Sequence, residues 1–485
     1  MFKYIGRLVL ISISFLLSIT TYSQGLGNSP YSRLGIGDVE NYKGTVRNMG
    51  MGYAGSAVTN KYYMNILNPA GLANFKNRKK NTSLHLKNRF VDSLVKIDVG
   101  YTVQYKTFKI GDKNSSSWGA NINYLAFMFP VSKVFATSLI LTPLTSVQNN
   151  YSFVDSIKGD PNHYNAQYTY KGSGGIYQLQ WANGLGLTEN LSVGLTTNFN
   201  FGSISQEATT QIVSDSLNSS LQNQVGTNKK TSYSGVSFKP GFIYNKELNK
   251  RVRHIDTIFS NSTGLRDSIT RTFTIKPRGI SWSAGGTIEF EGPIKSTETQ
   301  TLFIRNAKNQ NVTDSTLTKS RAPAYFPTIF RAGFALEKSE YWTIALDLAY
   351  SDWSNFDKNK FKSDSLAVSS YSAFLGGEYL AFNKEKPYRS RTYRAGFAYS
   401  ATPVMIAGNR VNDYSFSIGA AIPVGVRVKG SSSNGNNRLP LPKVNIAFVV
   451  GQRSSAGIDQ LSEMYYRLHL SMVIYDKWFA KKKIQ

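Results

Sequence analysis

Arg331 and Asp347 are the two residues of this 485-residue chain whose types and spacing most clearly suit chemistry. They flank Lys338-Ser339-Glu340, which reads as a tight turn, and a turn centred on Ser339 sets them opposite each other on neighbouring strands. A guanidinium facing a carboxylate can grip a charged ligand or tie two strands together, and the structural tie is the preferred reading. The other candidates do not assemble. His85, His163, His254 and His469 are scattered without metal-ligand spacing, and cysteine is absent, which excludes disulfides and thiolate chemistry. There is no Gly-x-Ser-x-Gly and no conspicuous carboxylate pair. The chain therefore reads as a non-enzyme with no catalytic residue, no metal and no cofactor.

The elements that carry the pair are more informative. From Pro327 to Trp353 bulky and small residues alternate: Phe330, Ala332, Phe334, Leu336, Trp342, Ile344, Leu346, Leu348 and Tyr350 share one face, while Arg331, Gly333, Ala335, Glu337, Thr343, Ala345, Asp347 and Ala349 share the other. Fourteen such candidate strands run from residue 95 to 476, most of them 11 to 15 residues long. Soluble strands centre on about 5–6 residues, whereas tilted membrane strands need about 9–11 to cross the hydrocarbon. The turns at Pro130–Lys133, Thr188–Asn190, Lys338–Glu340 and Asn383–Ser390 are short, and the alternate connections 149–174, 206–233 and 292–326 read as long Asn/Ser/Thr-rich loops. That asymmetry predicts an all-β fold, a transmembrane antiparallel β-barrel of about 14 strands. The connections 248–278 and Arg427–Pro440 break the pattern, and 248–278 contains two alternating runs that suggest a protruding periplasmic hairpin.

A basic start (Lys3, Arg7), an apolar stretch from Leu8 to Ile19 and Thr21-Tyr22-Ser23 before Gln24 predict a secretory signal over 1–23, with cleavage after Ser23. The apolar run falls short of the ~20 residues that span a bilayer. Residues 24–80 lack strand alternation and are expected to be an N-terminal hatch or plug, 81–476 the barrel, and 477–485 a basic tail. The formal charge of +27 is spread through turns and loops, with dense runs only at Asn77-Arg78-Lys79-Lys80 and Lys481-Lys482-Lys483. For an exported protein this suits membrane lipid headgroups and lipopolysaccharide, not nucleic acid.

Three blocks carry a family resemblance. Ala54-Gly55-Ser56-Ala57-Val58 followed by Asn68-Pro69-Ala70-Gly71-Leu72 resembles the hatch of the FadL/TodX long-chain fatty acid and hydrocarbon transporters; Gly55, Asn68, Pro69, Ala70 and Gly71 form the hatch motif. Trp342–Ser354 and Arg394-Ala-Gly-Phe-Ala-Tyr399 with Pro403-Val404 resemble two of the family's strands. The resemblance implies a 14-stranded barrel plugged by its hatch, with a hydrophobic ligand such as a long-chain fatty acid caught outside, passed to a lumen pocket and released sideways through a kinked strand. Pro143, inside the third candidate strand, is the candidate kink, since proline removes a ladder donor. No residue set identifies the ligand. The Thr21–Gln24 junction and the Trp478–Ile484 ending resemble Bacteroidetes outer-membrane proteins, among which barrels of this type also serve as subunits of secretion machinery. Passive transport of a hydrophobic compound is the leading expectation, and a non-transporting subunit of an outer-membrane secretion or assembly complex is the alternative.

Overall fold

In the computed structural model, the chain is described over residues 26, 29–73, 94–213, 223–248, 252–260, 267–275, 279–338, 341–353, 368–425, 440–455 and 461–476, apart from short gaps within these ranges. The expected signal segment, the 74–93 stretch with the 80/81 boundary, most of the Arg427–Pro440 connection and the basic tail lie outside the described residues. Nineteen strands are present among those described: β1 (Asp38–Val39), β2 (Val95–Ile110), β3 (Lys113–Pro130), β4 (Phe135–Ser156), β5 (Asn165–Gly186), β6 (Leu191–Val213), β7 (Gln224–Glu247), β8 (Val252–Ser260), β9 (Asp267–Ile275), β10 (Ile280–Glu289), β11 (Pro293–Arg305), β12 (Asn311–Tyr325), β13 (Thr328–Lys338), β14 (Trp342–Asp352), β15 (Ser370–Ala381), β16 (Arg391–Ile406), β17 (Asn409–Pro423), β18 (Lys443–Ser455) and β19 (Ser462–Asp476).

Fourteen of them, β2–β7, β10 and β13–β19, form a closed antiparallel wall, because β19 pairs back onto β2 from Ser462↔Lys109 to Asp476↔Val95. Closure removes the free edge that a flat sheet of this size would expose. The alternation of sequence becomes two surfaces. Leu348 is 55% exposed and Phe330, Phe334, Ile344, Leu346 and Tyr350 point outward with it, while Ala335, Thr343, Ala345 and Asp347 are buried within the barrel. An apolar exterior around a polar, filled interior is what a lipid-facing wall requires.

Two expectations are corrected by the register. In the β13–β14 hairpin Lys338 pairs with Trp342, so Arg331 lies opposite Ala349 and Asp347 opposite Gly333. The pairing is centred one residue later than Ser339, which moves each partner by two and leaves Arg331 and Asp347 as diagonal neighbours on the same face. Second, the segments expected as long loops are mostly strand. β4, β5, β6 and β7 run 22, 22, 23 and 24 residues and stay paired to Ser156↔Asn165 and Thr210↔Val225. β7 pairs with β10 over Gly241–Glu247 and with β11 over Gln224–Gly235, and β11 pairs with β12. Six strands thus extend one side of the barrel beyond the closed wall, tied by the bidentate Arg305–Glu207 pair at 2.7 and 2.9 Å. Ser and Thr occupy buried as well as exposed positions in these runs (Thr209, Thr231 and Ser296 are buried), so little hydrophobic alternation marked them as strands. β8 and β9 form a separate two-stranded ladder at the opposite end.

The wall is not uniformly sealed. β2–β3 and β4–β5 pair along most of their lengths, but β3 and β4 pair only from Leu125↔Leu141 to Pro130↔Ala136. Each strand carries one extra residue where they part: Asn123 in β3, at the shift after Gly100, and Leu144 in β4, between Pro143 and Thr145. Bulges bend the strands that bear them. Pro143 therefore lies inside β4, next to its bulge.

Candidate functional site

The barrel interior holds the N-terminal segment, almost all of it irregular. Its one α-helix among the described residues, α1 (Val46–Met49), is a single turn whose Thr45 backbone N–H donates to Asn48 Oδ1 at 3.1 Å. Three asparagines supply the hydrogen bonds that regular structure would have provided. Asn48 Nδ2 donates to the Ala54 carbonyl at 2.8 Å. Asn65 Nδ2 donates to the carbonyls of Gly55, Ser56 and Val58, while its Oδ1 accepts from the Leu67 and Asn68 amides. Asn68 caps the 3-10 turn Pro69–Leu72 by accepting from the Ala70 amide at 3.1 Å and donates outward to the Phe242 carbonyl of β7 at 3.0 Å. Val46, Met49, Met51, Tyr53, Met64, Ile66 and Leu72 then pack with Tyr124, Met128, Ile140 and Phe374 of the wall in one buried apolar cluster.

Glycine in the wall sets how closely this segment can approach. A Cβ on Gly396 would lie 2.1 Å from the Gly52 amide nitrogen, and one on its cross-strand partner Gly376 2.0 Å from the Met51 carbonyl oxygen. On the other side of the barrel Gly184, Gly194 and Gly241 occupy one row across β5, β6 and β7, and each would strike Asn68 or Pro69 if it carried a side chain. Glycine inside a strand often marks such close backbone approach.

Buried charges complete the clasp. Asp347 Oδ2 accepts from the Gly55 and Ser56 amides at 3.1 and 2.9 Å and from Arg331 Nε at 3.1 Å, and the Arg331 guanidinium also donates to the Tyr53 carbonyl at 2.7 Å. The Arg331–Asp347 pair foreseen within the wall thus grips residues 53–56 as well. Glu378 sits between Arg47 of α1 (2.8 and 3.1 Å) and Arg394 of β16 (2.9 Å). Arg453 of β18 donates from Nη1 to both Asp38 carboxylate oxygens at 2.8 and 3.0 Å and from Nε to Asp413 Oδ2 at 3.2 Å. Lys106 and Ser29 both reach Glu463. Removing one member of a buried pair leaves an uncompensated charge, which costs about 3–5 kcal/mol. Arg47, Glu378, Arg394, Arg453 and the glycine rows were not singled out from sequence; interior glycines and charges on an inward strand face were the available signal.

Of the motif residues, Gly55 donates to Asp347, Asn68 and Pro69 rest on the second glycine row, Ala70 gives its carbonyl to Ser192 Oγ at 2.9 Å, and Gly71 lies against Asn65. His469 is buried and engages Thr102 and Asn123; His254 lies on β8, and His85 and His163 fall outside the described residues. No cluster of three metal-ligating residues occurs among the described residues. A cavity of about 120 Å³ remains where the inner segment meets the parting strands. Met49, Ile66, Leu67, Pro143 and Leu144 line it on one side, and Lys239, Glu289 and Gln178 on another.

Fourteen antiparallel strands closed around an N-terminal segment define an outer-membrane β-barrel of FadL-like fold. Two solved structures share it: a Pseudomonas aeruginosa FadL homologue (12% identity, 90% of this chain and 98% of that one covered, TM-score 0.52) and the P. putida toluene transporter TodX (13%, 91% and 99%, TM-score 0.51). At such identity the likeness concerns fold alone. No curated protein matches the sequence. The chain belongs to the BamG family, whose family model matches residues 1–485.

Proposed function

We propose that this chain is a partner-binding subunit of an outer-membrane protein assembly complex, of the Bacteroidetes type, with its N-terminal segment acting as a permanent plug. The observation that carries this reading is the clasp. Two glycine rows and buried ion pairs hold the segment against strands on several sides of the barrel, and the cavity left beside it is about 120 Å³. Ligand pockets commonly occupy about 300–1,000 Å³, and the cavity beside the inner segment falls short of that. Membership in the BamG family supports the same reading. In this account the six-strand extension is extracellular and the β8–β9 hairpin periplasmic, and both present polar docking surfaces, while the apolar belt meets membrane lipid and lipopolysaccharide.

A second reading, passive transport of a hydrophobic molecule, is favoured by one specific observation: the cavity abuts Pro143 and Leu144, where β3 and β4 part, so a small ligand would leave sideways there. The TodX neighbour is a toluene transporter. Reconstitution into liposomes separates the two. The proposed function predicts that labelled oleate and toluene enter no faster than into protein-free liposomes; faster entry of either would restore transport.

A further inference from the structure

Glu289 of β10 is the one carboxylate among the described residues that line the cavity beside the inner segment, and its oxygens are already taken. Oε1 accepts from Gln178 Nε2 and Asn198 Nδ2, each at 3.0 Å, and Oε2 lies 3.9 Å from the Lys43 ammonium of the inner segment. Three cations border the same space: Lys43, Lys239 of β7 and Arg331 of β13. Strand pairing puts the last two there. β10 lies between β7 and β13, with Thr287 opposite Gly241 on one side and Arg331 on the other. Moving two residues along a strand keeps the face, so Lys239, Glu289 and Arg331 all point inward.

The charges around this cavity do not balance. Asp347 neutralises Arg331 at 3.0 Å and Glu289 answers one ammonium, which leaves one positive charge without a counter-ion. Lys239 is 6% exposed, yet it makes no hydrogen bond or ion pair with the described residues. Arg331 directs Nε to Asp347 and Nη2 to Asp347 and the Tyr53 carbonyl, while its Nη1 donates to none of the described residues. A buried charge with no partner is costly. The two idle groups border a cavity of about 120 Å³, and a single water needs only about 10–15 Å³, so a small anion fits there. We propose that the cavity binds one small oxyanion of the inorganic phosphate class, gripped by Lys239 and Arg331 of the wall and by Lys43 of the inner segment. An oxyanion suits donors on separate strands, because its several oxygens accept from each of them at once. Lying between Lys43 and Lys239, it turns a like-charge repulsion into a bridge that fastens the inner segment to the wall. This goes beyond the partner-binding reading and does not rest on it, since no property of a partner enters.

Equilibrium dialysis of the full-length protein in detergent against radiolabelled inorganic phosphate, at constant ionic strength in chloride, tests this. The expected result is saturable binding of one phosphate per chain, weakened about tenfold or more in Lys239→Met and retained in Lys239→Arg. Lys171→Met, at an exposed position of β5, controls for loss of a positive charge and should bind as the unaltered protein does. Phosphate should also raise the unfolding temperature of the unaltered protein and slow protease cleavage within residues 43–73, and do neither for Lys239→Met. That variant loses a buried unpaired charge and is expected to fold; should it fail to, Lys43→Met takes its place with the same expected weakening. Absence of saturable binding to the unaltered protein would leave Lys239 to water alone and overturn the proposal. Equal binding by Lys239→Met would overturn it too, as would stoichiometric displacement of phosphate by oleate, which would assign the site to a carboxylate amphiphile.

Discussion

Asp347 shows how one side chain changes meaning between sequence and structure. Strand parity placed it on the inward face with Arg331, but parity cannot reveal that its carboxylate also accepts two amides from residues 55 and 56. The clasp residues are the most direct targets for mutation. Glu378→Gln strips the charge shared by Arg47 and Arg394 and is expected to destabilise the folded protein by about 3–5 kcal/mol, read as a lower denaturant midpoint in detergent. Gly396→Val is expected to displace the inner segment while the wall still closes; ion conductance in planar bilayers and protease cleavage within residues 43–73 should both rise. Gly377→Ala is the matched control, because a Cβ there meets only the Thr343 carbonyl oxygen at an ordinary 3.7 Å. Burial pushes the Asp38 carboxyl up, but Arg453, Lys106 and Arg467 outweigh it and hold the group below its usual 3.8. A depressed value means that the tie stabilises above the unfolded value and is lost as pH falls through the lower folded one. Protease cleavage around Asp38 should therefore increase only below about pH 4, and Asp38→Asn should remove that acid dependence.

Among the elements, the wall strands were legible because lipid outside and a filled lumen inside impose a period of two over 11 to 15 residues. All fourteen wall strands fall where that period runs. The far halves of β4–β7 and the β11–β12 hairpin were not legible, since Ser and Thr fill buried positions there (Thr209, Thr231, Ser296) as well as exposed ones, which blurs the hydrophobic alternation and makes the composition resemble loop. Register was equally hidden: the residues 338–340 mark a turn but do not fix its centre, and one residue of error moved Arg331 from Asp347 to Ala349. The inner segment could be foreseen as irregular from its glycines and Asn68-Pro69, but its docking could not, because the contacts join residues hundreds of positions apart. Deleting residues 252–275 tests the independence of an element. β8 and β9 pair only with each other among the described strands, so the barrel is expected to keep its heat-resistant migration on gels while partner retention falls.

For the whole molecule, the same fold admits two functions, and occupancy of the lumen decides between them. A transporter needs a segment that moves and a pocket that fits its cargo; this barrel clasps its inner segment and leaves about 120 Å³ beside it. A net charge of +27 around an apolar belt suits a position among anionic headgroups, where neighbouring membrane proteins are within reach. Native mass spectrometry of the full-length protein, released from its own membrane in mild detergent, reads partner and ligand occupancy together. The expected mass is that of this chain with stoichiometric protein partners and no small hydrophobic ligand. An isolated monomer carrying a bound fatty acid or hydrocarbon would contradict it.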